Sequence, residues 1–204
     1  MLKDVYIKLV LTYLSDKPLS ISLWNEIKKK YTGRKRHYHN LTHLEALINQ
    51  LTECRSIIND WETILFSVFY HDIIYNVLKK DNEEKSAELA VKRLSQIRFP
   101  LKRIEQCEQQ ILATKAHTRR DNSDTNLFTD ADLSILGQPE STYREYCLQI
   151  RKEYSIYPDL IYKPGRKKVV EHFLQMPRIF KTDFFFDKYE QQTRQNLQEE
   201  LTSF

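Results

Sequence analysis

Ile64-Leu65-Phe66-Ser67-Val68-Phe69-Tyr70-His71-Asp72-Ile73-Ile74 decides the reading of this chain. Its apolar residues cover most of the circumference of a helix, running from about Asp60, a good N-cap, to Ile74. A helix that apolar is buried on nearly all sides. His71 and Asp72 lie inside it. A buried carboxylate is costly unless something offsets its charge. A cation, a tight hydrogen-bond network or a metal would do so. The dipeptide alone fits either a satisfied core pair or a pair of ligands.

Outward from this stretch the sequence reads as helices. Only 3 Gly occur in 204 residues, against roughly 14 in an average chain of this length. Hairpins need residues at positive φ, so the count argues strongly against a sandwich, a barrel or a Gly-rich nucleotide fold, and it excludes a Walker-type loop. Helices are expected over 3–14, from Pro18 to Gly33, from about Asn40 to Ser56, after Asp81-Asn82, and from Pro100 to near His117. Residues 118–126 read as a polar loop and Asp130–Gly137 as a short helix. Pro139 opens a helix to about Tyr154. Pro164, Pro177 and Asp183 mark the last starts. The expected fold is an all-α bundle of nine or ten helices. A single domain over 1–204 is expected, with its core at about 34–180 and helical additions at both ends.

Net charge is +4 with both signs interspersed. That suits a small anionic substrate and argues against nucleic acid. No apolar run approaches the length of a membrane span, and Lys3, Asp4 and Lys8 spoil a signal segment. Cys54, Cys107 and Cys147 form no close pair, which points to a reducing cytoplasm. Self-association is left open.

Two further clusters carry candidate chemistry. Tyr38-His39-Asn40-Leu41-Thr42-His43 spaces two imidazoles four residues apart, with Asn40 a good N-cap, so that His39 can fall just before the helix. His37, in the basic loop, reads as solvated. Phe128-Thr129-Asp130-Ala131-Asp132 places two acids before an apolar turn. Asp130 fits a cap, while Asp132 can be drawn inward with Leu133, Ile135 and Leu136. Together the clusters offer imidazoles and carboxylates and no thiolate. That set suits a divalent ion (Mn²⁺, Mg²⁺, Zn²⁺, Ni²⁺, Co²⁺ or Fe²⁺) with open water positions.

The order His43, His71-Asp72, Asp132 resembles the H…HD…D signature of the HD-domain metal-dependent phosphohydrolase superfamily. Tyr38-His39-Asn40 with His43 resembles the YHNxxH motif of cyclic-nucleotide phosphodiesterases, and Ala131-Asp132-Leu133-Ser134 their ADLS segment. The resemblance implies His43, His71, Asp72 and Asp132 as ligands to one or two ions, and His39 as general acid. A longer pattern is similar to a bacterial subgroup of predicted HD phosphohydrolases: Phe69 to Asp72, Asp81 to Glu83, Ser86-Ala87, Ala113-Thr114 with His117, Asp130 to Asp132, Tyr143 to Tyr154 and Gly165-Arg166. The chain lacks the substrate clamp of the cyclic-nucleotide enzymes, which points away from that substrate.

The resulting expectation is metal-dependent hydrolysis of a small, nucleotide-like phosphate ester. Asp72 would orient water. Glu83, near the HD stretch, is a candidate base or a helix-terminal acid. His117 is a candidate phosphate or second-metal contact, or a helix C-terminal His. Arg166 is a candidate bidentate phosphate binder. Arg119, Arg120, Lys79 and Lys80 read as solvated surface. A silent metal-binding regulatory module and an HD-type di-iron oxygenase are the alternatives.

Overall fold

The computed structural model describes residues 1–204. It is all helical, 72% of residues lying in helices, with ten α-helices and no strand. They are α1 (Leu2–Tyr13), α2 (Lys17–Tyr31), α3 (Leu41–Glu53), α4 (Trp61–Tyr70), α5 (Asn82–Gln96), α6 (Leu101–Ala113), α7 (Ser123–Leu133), α8 (Glu140–Glu153), α9 (Asp159–Gln175) and α10 (Asp183–Thr202). One continuous cluster of 41 buried residues runs from Leu2 to Leu197, so the terminal helices share the core of the middle ones. No helix is long and apolar enough to cross a membrane. The three cysteines are free thiols.

α4 is the central element, packed against α3, α5, α6 and α7, with Thr63 through Tyr70 all buried. Asp60 caps it, accepting from the Thr63 amide at 3.1 Å, and Arg103 donates to the same carboxylate. The helix stops at Tyr70, not at Ile74 as the apolar run suggested. The reason lies in side chains that take over the backbone beyond it. The Tyr31 hydroxyl meets the Asp72 amide at 3.2 Å, Arg36 donates to the Ile73 carbonyl at 3.1 Å, and Ser86 Oγ accepts from the Ile74 amide at 3.1 Å. With their polar groups satisfied elsewhere, these residues gain nothing from continuing the helix.

α7 is the second buried helix. It begins at Ser123 behind the Asn122 cap, inside the segment expected to be loop, and runs on to Leu133. Asp124 explains this early start: its carboxylate accepts from the amides of Asn59 (3.0 Å) and Asp60 (2.7 Å), tying α7 to the start of α4. α6 ends at Ala113, four residues short of His117, which takes a left-handed φ of 52°. Pro164 lies inside α9, not at its start. Of that helix only Val170 is buried, so water can solvate the carbonyl that loses its donor. Pro177 opens no helix. Glu190 collects the amides of Ile179 and Phe180 there, and Asp130 those of Lys181 and Thr182.

α10 approaches the turn after α7 most closely at Gly137. A Cβ there would lie 2.6 Å from Tyr189 Cβ and 2.8 Å from Thr193 Oγ1. Gly137→Ala should therefore lower stability by about 1–3 kcal/mol through overpacking, read as a lower urea midpoint at unchanged slope.

Candidate metal centre and its cavity

The donors come from helix ends. His71 caps the C-terminus of α4 and Asp72 follows it; Asp132 lies in the last turn of α7; His43 lies in the first turn of α3. Ligand atoms of His43, His71 and Asp132 all fall within 4.8 Å of one another. The two imidazole Nε2 atoms are 3.2 Å apart. Asp132 Oδ1 is 3.2 Å from His43 Nε2, and Asp72 Oδ2 is 3.1 Å from His71 Nε2. Neighbouring ligands on an octahedral ion bound at ~2.1 Å stand ~3 Å apart, so the spacing suits one cation. Two helix C-termini, each carrying a partial negative charge, point the same way.

The tautomer of His71 agrees. His71 Nδ1 donates to the Val68 carbonyl at 2.9 Å, which leaves Nε2 as the metal-facing atom. Burial opposes charge on His71, but Asp72 and Asp132 outweigh it and raise its pKa to about 9. Burial also opposes charge on Asp72, yet the imidazoles around it hold its carboxyl far below the usual range. Asp132 is lowered too, burial again overcome by His43 and His71. The cluster thus draws positive charge, as a proton or as a metal.

His39 lies just before α3, as the motif suggested. Its Nδ1 donates to Glu153 Oε2 at 2.6 Å, and its Nε2 stands 3.9 Å from Asp72 Oδ2. Glu153 is buried at the end of α8 and was not a candidate from sequence. Its other oxygen accepts the Tyr38 and His39 amides, and the Tyr75 hydroxyl donates to Oε2 at 2.8 Å. Burial would raise its pKa, but His39 lowers it to about 2. Burial would likewise lower His39, but Asp72 and Glu153 raise it. A signal was present in the chain: an acid at a helix C-terminus runs against the dipole.

The site opens on a cavity of about 730 Å³. His39, Asp72, His117 and Asp132 face it, with Lys79, Lys80 and Lys115 on its rim. Tyr75, Tyr146, Tyr154, Tyr157 and Tyr162 form much of its wall. Lys79 and Lys80 are exposed, as expected, but they border the cavity. His117 Nε2 donates to Asp132 Oδ2 at 3.1 Å; burial and then Lys181 lower its pKa to about 4, so it is neutral. Glu83 lines the cavity from the first turn of α5, outside the converging donors. Arg166 also lines it, but Glu200 occupies its Nε and Nη2 at 2.8 and 2.9 Å. The bidentate phosphate role expected of it is thus taken by a carboxylate, and Arg166 instead orders Tyr143 and Tyr146. No protein-family model, curated protein or solved structure matches this chain.

Asp130 is not a helix cap. It is fully buried, accepts from the Lys181 and Thr182 amides, and pairs with Lys181 Nζ at 2.9 Å. Asp130→Asn should retain metal while losing about 3–5 kcal/mol of stability, because Lys181 is left buried and unpaired. Asp132→Asn should do the reverse, abolishing metal uptake at little cost in stability. Elemental analysis and urea melts of both variants check this, and the opposite pattern would exchange the two roles.

Proposed function

We propose that this chain is a metal-dependent hydrolase. Its donor set and their order then make it a phosphohydrolase of the HD type, acting on a small phosphate ester of nucleotide-like character. The observation that carries the reading is the convergence of His43, His71 and Asp132, with Asp72 adjoining, beside a cavity that His39 also lines, its Nδ1 held by Glu153. A divalent ion at such a site lowers the pKa of water toward neutrality and polarises a phosphoryl oxygen. Lys79 and Lys80 attract the anionic ester to the cavity, while Lys115 beside them is paired with Glu84. Asp72 orients the attacking water. His39, its pKa raised by Asp72 and Glu153, gives a proton from Nε2 to the departing oxygen. The tyrosines offer stacking surface and hydroxyls to the organic part.

A binding-only module would have no use for a buried acid aimed at the donor cluster, so the His39–Glu153 pair favours an enzyme. General acids contribute about 10²–10⁴-fold, and only where the leaving oxygen is basic. His39→Ala should therefore keep its metal and lose rate by that factor on an alkyl ester, with a far smaller loss on a 4-nitrophenyl ester. Glu153→Gln should follow the same pattern more mildly. Parallel assays with Mn²⁺, Co²⁺ or Ni²⁺ and metal analysis test this. Equal losses on both esters with intact metal would remove His39 from leaving-group chemistry, and absence of bound metal in the wild type would end the reading.

A further inference from the structure

A second cavity reaches the same donors. It is a groove of about 580 Å³ whose walls include residues of α3 and α8, and it touches His43 and Asp132. The larger cavity touches His39, Asp72, His117 and Asp132. Asp132 and Tyr146 line both, so the donor cluster stands where two cavities meet.

Their chemistries differ. The larger cavity has lysines and tyrosines. No lysine or arginine lines the groove, whose polar residues include Asn49, Gln50, Gln138, Thr142 and Gln149, with Glu145 adding one acid. Gln50 Oε1 is engaged by Lys188 and Tyr189, Gln138 Nε2 by Ser134 and Tyr189, and Gln149 Nε2 by Glu145; the remaining amide ends still mix donors and acceptors, which suits an uncharged group rich in hydroxyls, carbonyls or amides. Glu145, with no cation beside it, opposes a second anion. His43, which lines the groove, also carries a buried Nδ1 with no hydrogen-bond partner.

A phosphomonoester has one organic arm. Its remaining oxygens call for positive charge and leave a neutral groove without purpose. A diester has two arms. The geometry points to a linear phosphodiester as substrate, its departing arm in the tyrosine-lined cavity beside His39, where Lys79 and Lys80 stand, and its retained, uncharged arm in the amide-lined groove. This rests on the hydrolase reading above and decides, within it, between monoester and diester. In the reaction the oxygen of one water bonds to phosphorus as the bond to the departing arm breaks. The electron pair leaves on that arm's oxygen, which takes a proton from His39. One proton of the water restores His39, the other passes to solvent, and the product is the monoester of the retained arm.

Three chromogenic esters test this with Mn²⁺-loaded protein: 4-nitrophenyl phosphate, methyl 4-nitrophenyl phosphate and thymidine 5′-(4-nitrophenyl phosphate). Two or three neutral hydrogen bonds to the arm are worth about tenfold or more. The thymidine diester should therefore exceed the methyl diester in kcat/KM by at least that factor, and both diesters should exceed the monoester. Ala46→Trp and Thr142→Trp fill the groove from exposed positions on α3 and α8. In each variant the ratio of the two diesters should fall to near one, a reading that general damage does not mimic. Equal turnover of the two diesters in the wild type, preference for the monoester, or a ratio that survives both tryptophans overturns the inference and leaves the hydrolase reading standing. Turnover of none of the three overturns the hydrolase reading itself, and this inference with it.

Discussion

Negative charge concentrated at one buried point is the constraint on which this structure depends. α4 and α7 both end there, and each helix end adds partial negative charge to the carboxylates of Asp72 and Asp132. His71 stands between them, its Nδ1 engaged by Val68 so that only Nε2 can answer. Without compensation such a cluster would drive the two helices apart. A proton on His71 is one form of compensation, and its raised pKa is the measure of the demand. A divalent cation is the other, and it meets the same demand with twice the charge.

The surrounding scaffold is arranged to hold the two helix ends in place. On a helix of 3.6 residues per turn, positions two apart differ by ~200°, so Asp130 and Asp132 face opposite ways. Asp130 anchors α7 to Lys181 and Thr182, which leaves Asp132 to the cluster. Lys181 reaches back to the His117 carbonyl at 3.2 Å, and His117 in turn donates to Asp132. At the other end of the pair, Asp124 binds the start of α4 and Arg103 braces its cap. The two buried helices are thereby fixed in register at both ends, and the donors inherit that precision.

Much of this was legible in the chain because it was written in local chemistry. The apolar circumference of α4, the caps at Asp60 and Asn40, and the scarcity of glycine all act within a few residues, and the all-α architecture followed from them. The HD dipeptide stood out as charge inside an apolar run, and the structure gathers His43, His71 and Asp132 as their order suggested. What was hidden depends on distant partners. The end of α4 at Tyr70 is set by Tyr31, Arg36 and Ser86, and the early start of α7 by Asp124 reaching Asn59 and Asp60. Arg166 looked open for a phosphate because Glu200, 34 residues away, was invisible to spacing.

Glu153 shows how a cost in local stability can mark function. An acid at the end of α8 opposes the helix dipole, and its burial adds to the penalty. Four donors answer it: two backbone amides, the Tyr75 hydroxyl and His39 Nδ1. The arrangement makes sense if its product is the state of His39. With Nδ1 held, the ring is oriented, and Asp72 and Glu153 raise its pKa against the effect of burial. The only nitrogen left to exchange that proton is Nε2, the one that faces Asp72 across 3.9 Å. The loop before α3 and the end of α8 thus fix one atom, placed beside the donor cluster yet outside it, as the proposed proton delivery requires.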